Sequence, residues 1–283
     1  VVVNSADNTV SVLEGLPNGT FGTAQALATG INPVSAVVGD FNGDGYTDIA
    51  VANNNNGGAG TVSVILGNPG GDEFFASQVT YPVDAGPIGL VTGDFNGDGI
   101  LDLVTTNEAS STLSVLLGVG DGTFGAAITT PLPTGAQASF LSTADLRNNG
   151  TLDLVMATPN APDVYVLLGN NDGTFQAAVD YPMGAGALSV AVGDLNGDGI
   201  LDLAVPDLNT GAVSTKLGNG DGTFGASSTV MIGPGTFHLE LADLNGDGLL
   251  DYVVADPNTA TVSIALQAHT ETAIAAGVAV TGA

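Results

Sequence analysis

A nine-residue phrase rich in aspartate recurs along the chain and constrains its fold more than any other feature. The phrase reads Asp-x-Asn-Gly-Asp-Gly-x-x-Asp, with full copies beginning at Asp40, Asp94, Asp194 and Asp243 and a degraded copy at Asp145–Asp153. An apolar segment such as Val-Ser-Val-Ile-Leu-Gly follows each copy, and Gly-Asp-Gly-Thr-Phe or a close variant closes many repeats. Five repeats keep this order, which is the signature of a repeat architecture.

Each repeat contains four short apolar runs. In the second repeat these are 88–92, 101–105, 113–117 and 126–130. The runs are rich in β-branched residues, and Asp-Gly and Asn-Gly pairs between them favour hairpin turns. Glycine makes up 42 of 283 residues and disfavours helices. The pattern predicts an all-β fold, a β-propeller of four-stranded antiparallel blades. We expect Phe124, Phe175 and Phe224 to fill the seams between blades.

A partial sixth repeat precedes the five. Val1–Val3, Val10–Leu13 and Gln25–Ala28 match the second, third and fourth strands of a blade that lacks its first strand. We expect six blades in a single domain over 1–283, with Val278–Thr281 filling that gap. The alternative is a seven-bladed or longer parent from which this piece was cut. The predicted divisions are 1–30 (an incomplete blade), 31–84, 85–135, 136–184, 185–233 and 234–283.

Composition excludes several classes of function. Twenty-nine acidic and two basic residues give a net charge of −27, which argues against binding nucleic acid or anionic membranes. The absence of cysteine excludes disulfides, thiol catalysis and thiolate zinc sites. The longest apolar run, Ala273–Val280, is shorter than the ~20 residues of a membrane-spanning helix. We therefore expect no membrane insertion, and the scarcity of cations favours an extracellular or cell-surface location.

The four full copies, here called the full loops, carry the pattern of a metal site. Oxygen ligands stand at positions 1, 3, 5 and 9, a main-chain carbonyl at position 7 and glycine at position 6, as at the start of an EF-hand loop. Converging carboxylates repel one another without a cation. Six to eight hard oxygen ligands are what Ca²⁺ accepts, whereas Mg²⁺ is smaller and geometrically stricter, so we expect Ca²⁺. The alternative is that such runs only form turns. The predicted ligands of the four calcium ions are Asp40, Asn42, Asp44, Tyr46 and Asp48; Asp94, Asn96, Asp98, Ile100 and Asp102; Asp194, Asn196, Asp198, Ile200 and Asp202; and Asp243, Asn245, Asp247, Leu249 and Asp251.

The degraded copy, here called the third loop, departs from this pattern. Its positions 1, 3, 5, 7 and 9 are Asp145, Arg147, Asn149, Thr151 and Asp153. One hypothesis is that the Arg147 guanidinium lies between Asp145 and Asp153 and replaces the ion, because a planar fork suits two carboxylates. The alternative is an exposed arginine and weak metal binding by the remaining oxygens. The sequence therefore leaves undecided whether the third loop is a fifth calcium site.

The aspartate phrase, the Ser-Val-Leu-Leu-Gly strand and the Gly-Asp-Gly-Thr-Phe turn together resemble FG-GAP/VCBS repeats. These repeats build the integrin α-subunit propeller and many secreted bacterial propellers, and the similarity covers essentially the whole chain. The resemblance implies the propeller fold and Ca²⁺ in the turn between the first and second strands of a blade. It implies function only loosely, because adhesins, lectins and enzyme accessory modules share the repeat.

The face opposite the metal loops is the predicted recognition surface, since loops on a rigid scaffold often carry function. Its connections are rich in Asn, Asp and Thr, which also form turns. They are Asn4–Asn8, Asn53–Gly60, Asn107–Ser111, Pro159–Asp163, Asp207–Thr210 and Asp256–Thr259. We predict a non-catalytic recognition or adhesion module for a glycan or an extracellular protein. The absence of Trp limits sugar stacking.

Two further functions stay open. One is a polysaccharide-acting enzyme, or its accessory domain, using paired carboxylates. Acids outside the metal loops include Glu108, Asp163, Asp207, Glu240 and Asp256. His238 and Glu240 share one side of the last repeat's first strand, where other repeats carry mostly small or apolar residues. This pair is either an enzymatic feature or a hydrogen-bonded channel pair. The other function is self-association, in which the open first blade accepts a strand from a neighbouring chain.

Lys216 is the second of the two cations of the chain. It replaces a mainly apolar strand position, which is Ile65, Leu116 and Leu167 in other repeats. We expect its ammonium group to face solvent.

Overall fold

The computed structural model describes residues 1–68, 74–133, 136, 139–158, 163–183, 189–207, 210–233, 238–256, 261–267 and, for the backbone, 278–281. Within these residues the chain forms strands β1 to β23 and one 3₁₀ turn at Asn55–Gly57. Every strand pairing is antiparallel, so the prediction of an all-β fold is confirmed.

The first compact unit comprises Val1–Ala138 and Asn170–Thr174. It contains three sheets, each with strands in chain order. The first sheet is β1 (Val2–Asn4), β2 (Thr9–Val12) and β3 (Gln25–Ala28); the second is β4 (Pro33–Gly39), β5 (Asp48–Asn53), β6 (Ala59–Ile65) and β7 (Val79–Ala85); the third is β8 (Pro87–Gly93), β9 (Asp102–Asn107), β10 (Thr112–Leu116) and β11 (Ile128–Pro131).

The second compact unit comprises Ser139–Gly169 and Phe175–Ala283. It also contains three sheets with strands in chain order. The fourth sheet is β12 (Leu141–Ala144), β13 (Asp153–Ala157), β14 (Asp163–Leu167) and β15 (Val179–Pro182); the fifth is β16 (Ala191–Gly193), β17 (Asp202–Asp207), β18 (Ala212–Gly218) and β19 (Phe224–Met231); the sixth is β20 (His238–Ala242), β21 (Asp251–Asp256), β22 (Thr261–Ala265) and β23 (Val278–Thr281).

The first and last sheets test the predicted sixth blade. The first sheet has three strands, as expected for a blade without its first strand. The expectation that Val278–Thr281 fills this gap is wrong. This segment pairs with β22, with Thr281 opposite Thr261 and Val278 opposite Ile264. Because sequential strands usually pair with each other, the segment completes its own sheet as the fourth strand.

The inner strands form the core. All six positions of β5 and of β9 are buried, including the polar residues that both strands carry. The outer strand β15 is exposed at three of its four positions. Neighbouring sheets therefore bury their inner strands against each other, as Val62 and Leu103 do in the first compact unit and Val164 and Leu203 in the second.

Aromatic side chains of the Gly-Asp-Gly-Thr-Phe turns pack between sheets, as predicted. The Phe124 ring lies 5.6 Å from the Phe41 ring and 5.5 Å from the Tyr81 ring, both edge-on. In the second compact unit the Phe224 ring lies 5.2 Å from the Tyr181 ring. Such pairs add about 0.5–1.5 kcal/mol beyond the area that they bury.

Candidate functional site

The position-9 aspartate of each loop begins the second strand of its sheet and is fully buried. These residues are Asp48, Asp102, Asp153, Asp202 and Asp251. In the first loop, Asp48 Oδ2 accepts the Phe41 N–H at 2.8 Å and Oδ1 accepts the Gly67 N–H at 2.7 Å. The same two contacts recur in the other four loops. This carboxylate therefore ties the loop to the end of the third strand.

The electrostatic environment of these buried carboxylates is unfavourable to charge. Burial raises the pKa of Asp48, Asp102 and Asp202 above the usual value. The two backbone N–H groups on each carboxylate oppose the rise, and the other aspartates of the same loop add to it. A positive charge within the loop would stabilise the ionised form.

The remaining side chains of a full loop hold its turn together. Asp40 accepts the N–H groups of Asp44 and Gly45 at 3.1 and 2.9 Å, and Asp44 accepts the Tyr46 N–H at 2.8 Å. Asn42 Nδ2 donates to Asp44 Oδ2 at 2.9 Å. Gly45 has φ +84°, a left-handed conformation that other residues rarely adopt. The other three full loops repeat this arrangement.

The full loops supply the donor set that Ca²⁺ takes, namely carboxylate and amide oxygens on one tight turn. Asp40 and Asn42 are half-buried and Asp44 is exposed, so the loop faces solvent. No three acidic or histidine side chains of the described residues converge as closely as a metal centre requires. The predicted ligands of each ion therefore all come from a single loop. In the first loop, Asp44 accepts a hydrogen bond from the Asn42 amide.

The third loop contains an ion pair. Arg147 Nη2 lies 2.7 Å from Asp153 Oδ1, and Nε donates to Oδ2 at 3.3 Å. Nη2 also donates to the Gly169 carbonyl at 2.8 Å. Asp145 accepts the N–H groups of Asn149 and Gly150. Although partial burial acts to raise it, the pKa of Asp145 lies below its usual value because of these N–H groups and Arg147.

The Gly-Asp-Gly turns contact the loops of the preceding sheet. The Gly122 N–H donates to the Phe41 carbonyl at 3.2 Å, and the Gly173 N–H donates to the Phe95 carbonyl at 3.0 Å. A Cβ built on Gly97 would lie 2.5 Å from Asn171 Nδ2, so this loop glycine permits close approach of the next turn. The loops are therefore part of the seams between sheets.

The opposite face uses its asparagines in backbone contacts. Asn8 Oδ1 accepts the Asn32 N–H at 2.7 Å, and Asn54 Nδ2 donates to the Pro87 carbonyl at 3.1 Å. Asn55 Nδ2 donates to the Ala59 carbonyl at 2.9 Å. These side chains connect loops and sheets. Residues 159–162, 208–209 and 257–260, which belong to the other predicted recognition loops, lie outside the described residues.

An open cavity of about 410 Å³ lies along β12, β16 and β20 of the second compact unit. Its lining includes Phe140, Ser142, Ser189, His238 and Glu240. His238 Nε2 lies 3.2 Å from Glu240 Oε1, and these side chains are 50% and 73% exposed. The Phe140 and His238 rings lie 6.4 Å apart, edge to face. The structure thus confirms the hydrogen-bonded pair and adds an aromatic ring beside it.

The cavity does not bring a second carboxylate to Glu240. Among the described residues that line it, Glu240 is the single acid. Asp163 begins β14, and Asp207 and Asp256 end β17 and β21, at the other end of the hairpins from the metal loops. Ser142 Oγ donates to the Val190 carbonyl at 2.7 Å, so this hydroxyl is held by the sheet.

The expectation that Lys216 faces solvent is wrong. Lys216 is 8% exposed, and its Nζ donates to the Gly225 carbonyl at 3.0 Å. The strand position is buried in every repeat, and the long side chain reaches the exposed turn of β19 from it.

A family model described as FG-GAP-like repeat matches residues 1–51, 40–105, 101–156, 145–205 and 208–254. The chain belongs to the FG-GAP-like repeat family. The matches cover most of the chain and each contains all or part of an aspartate loop, which confirms the resemblance. A sequence comparison with curated proteins finds no match.

Solved structures similar to this FG-GAP-like chain are β-propellers. A lectin from Agrocybe aegerita that recognises non-reducing terminal N-acetylglucosamine is 18% identical, with a TM-score of 0.64 over 96% of this chain and 74% of that one. PpgL, a periplasmic gluconolactonase from Pseudomonas aeruginosa, is 15% identical, with a TM-score of 0.60 over 95% and 90%. The biofilm matrix protein Bap1 from V. cholerae is 17% identical, with a TM-score of 0.50 over 93% and 39%. At these identities the similarity establishes the fold, a β-propeller of about six blades.

Sequence reasoning missed two features of this FG-GAP-like chain. It treated the position-9 aspartate only as a metal ligand, although the glycine after most third strands marks its N–H partner. It also missed the cavity, whose lining residues occupy equivalent positions of successive first strands. The described residues contain no helix with the length and apolarity of a membrane span.

Proposed function

We propose that the chain is a non-catalytic extracellular recognition module whose blades are stabilised by calcium, and that its ligand is a glycan. The observation that carries the proposal is the cavity of the second compact unit, where Phe140, His238 and Glu240 meet. Sites for small ligands typically combine apolar or aromatic surface with a few polar groups on a rigid scaffold.

The chemistry of these side chains suits a sugar. The exposed Phe140 ring offers an apolar surface for the C–H face of a pyranose, and Glu240 and His238 offer hydrogen bonds to hydroxyls. The asparagines of the opposite face contribute less, since Asn8, Asn54 and Asn55 are used in structural contacts. We therefore place the primary ligand site in the cavity, and the loop face remains the alternative surface.

The full loops are the proposed calcium sites. In the first loop Asp40, Asn42, Asp44 and Asp48 would hold the ion, together with the Tyr46 carbonyl. Bound calcium would supply positive charge to the carboxylates. Each oxygen of Asp48 accepts one backbone N–H, and a carboxylate oxygen has a second lone pair available. Asp44 would exchange its Asn42 amide contact for the ion.

Calcium in these loops would act on the stability of the fold. The loops contact the turns of the next sheet, so an ordered loop supports a seam. Extracellular calcium modules bind at about 10⁻⁴–10⁻³ M, which matches an extracellular setting. A site at tenfold to hundredfold saturation adds about 1.4–2.7 kcal/mol to the folded state.

A glycan array with the calcium-loaded protein tests the proposal, followed by titration of any hit. Phe140→Ala and Glu240→Gln are expected to weaken binding at least tenfold. Phe21→Ala is the matched control, because Phe21 is 69% exposed in the other compact unit, and it should bind as the wild type does. An array without hits, or hits that both cavity variants retain, would contradict the assignment of the site.

The His238–Glu240 contact also favours a second candidate, an enzyme that uses this pair for proton transfer. Among the described residues of the lining, Glu240 is the single carboxylate, which argues against the two-carboxylate mechanism of most glycosidases. Incubation with polysaccharides distinguishes the candidates. Product release that Glu240→Gln abolishes would favour catalysis, whereas binding without product release would favour recognition.

A further inference from the structure

Arg147 differs from every other loop residue in the described structure because it brings a permanent positive charge into an aspartate loop. Its guanidinium engages both oxygens of Asp153, at 2.7 and 3.3 Å, and the Gly169 carbonyl at 2.8 Å. The side chain is 18% exposed and Asp153 is fully buried. The ion pair is therefore largely shielded from water, where a charge-assisted fork is strong.

The charge of the third loop matches that of a calcium-loaded full loop. A full loop has carboxylates at positions 1, 5 and 9, so one divalent ion leaves it with a net charge of −1. The third loop has carboxylates at positions 1 and 9 only, with Asn149 at position 5 and Arg147 at position 3. Its net charge is therefore also −1, and it reaches this value without an ion.

The backbone of the third loop is nevertheless that of the full loops. Asp145 accepts the N–H groups of Asn149 and Gly150 as Asp40 accepts those of Asp44 and Gly45. Asp153 accepts the Leu146 and Gly169 N–H groups. Arg147 thus occupies a loop of unchanged architecture, and its guanidinium lies on the position-9 carboxylate.

We propose that Arg147 is a built-in counter-cation that takes the place of calcium in the third loop, which binds no calcium ion. The number of calcium ions per chain in this inference rests on the proposed calcium binding of the full loops. The role of Arg147 as counter-charge to Asp153 does not depend on calcium. The third loop, in the fourth sheet, should therefore stay ordered when calcium is withdrawn.

Calcium counting tests the first part of the inference. Equilibrium dialysis with atomic emission should give four ions per wild-type chain. The double variant Arg147→Asn with Asn149→Asp restores the residues of a full loop at positions 3 and 5 and should bind five. Asn149→Asp alone is the matched control, because it keeps the guanidinium, and should bind four. Five ions on the wild type, or no additional ion on a folded double variant, would overturn the inference.

Thermal unfolding in EDTA tests the second part. Arg147→Gln should lower the melting temperature by roughly 5–10 °C, because it leaves a buried carboxylate without its partner. Asn148→Gly is the matched control in the same loop and should leave it nearly unchanged, because Asn148 has φ +49° and glycine adopts this conformation readily. If Arg147→Gln unfolds as the wild type does, the inference is wrong whatever the calcium count. If no loop binds calcium but Arg147→Gln is destabilising, the calcium proposal fails and the counter-charge role stands.

Discussion

Replacing Asp102 by asparagine tests the structural role of the position-9 carboxylate separately from its proposed role as a metal ligand. Asp102 is fully buried and accepts the Phe95 N–H at 2.9 Å and the Gly118 N–H at 2.8 Å. Asparagine has one acceptor oxygen and one NH₂ group, so one of these N–H groups would face another donor. The loop would lose one of its two ties to the sheet.

The expected cost follows from these contacts. A hydrogen bond to a charged group contributes about 1.5–3 kcal/mol, and a buried donor without a partner costs about 1–3 kcal/mol. Removing a buried negative charge offsets part of this, since burial already raises the pKa of Asp102. We therefore expect Asp102→Asn to lower the free energy of unfolding by about 2–3 kcal/mol in EDTA.

The matched variant is Asp98→Asn in the same loop. Asp98 is exposed, and asparagine keeps the oxygen that accepts the Ile100 N–H. We expect a change within about 0.5 kcal/mol in EDTA, as is usual for surface positions. In about 10 mM calcium, which is tenfold to hundredfold above the expected dissociation constant, the same variant should lose the stabilisation of one ion, about 1.4–2.7 kcal/mol.

Thermal and urea unfolding, each with EDTA and with calcium, provide the comparison. Both variants should be destabilised relative to the wild type in calcium, but only Asp102→Asn in EDTA. Wild-type stability of Asp102→Asn in EDTA would refute the structural role of the buried carboxylate. Identical curves for Asp98→Asn and the wild type in calcium would refute metal binding by that loop.

Three further outcomes are expected. In EDTA, the free energy of unfolding should rise as the pH falls from 7 to about 4, because burial raises the pKa of Asp48, Asp102 and Asp202 and the folded state therefore binds more protons. Below about pH 4 it should fall, since the pKa values of Asp145 and Asp194 are lowered; a monotonic decline from pH 7 would contradict this order. Phe124→Ala should lower the free energy of unfolding by about 3–5 kcal/mol, because it removes the ring that packs against Phe41 and Tyr81. A melting temperature unchanged from the wild type would exclude that packing. Lys216→Met should stabilise the chain by about 1 kcal/mol, because it removes a buried ammonium whose partner carbonyl, on Gly225, can reach water; calorimetry that finds a loss would contradict the reasoning.

The repeat made most of the fold predictable from the sequence. Strands joined by short turns pair with their chain neighbours, so the order of apolar runs within a repeat fixes the order of strands within a sheet. The predicted first sheet, for example, agrees with β1 to β3 within one residue at each end. The prediction for Val278–Thr281 was wrong because no repeat motif precedes this segment. The sequence alone therefore does not indicate which sheet edge the segment joins.

The candidate sites were less predictable because they depend on contacts between segments distant in sequence. The partner of Asp48 at Gly67 lies at the end of another strand, and the cavity needs the first strands of three sheets. Lys216 looked exposed because ammonium groups usually are, but the strand that carries it is buried along most of its length. Composition also suggested a recognition surface on the opposite face, where the structure uses Asn8 and Asn54 in contacts to the backbone.

The five loops agree at the fully buried position 9 and differ at positions 3 and 5, which are less buried. Position 9 is aspartate in all five and makes the same two backbone contacts in each, including the third loop. Positions 3 and 5 change only in the third loop, and the corresponding side chains of a full loop, Asn42 and Asp44, are half-buried and exposed. The position-9 carboxylate therefore holds its loop to the sheet in all five loops. In the third loop its counter-charge is the Arg147 guanidinium, and in the full loops we propose that it is calcium. A guanidinium from position 3 reaches Asp153 without altering the loop backbone, as expected if Arg147 takes the place of the calcium ion that we propose for the full loops.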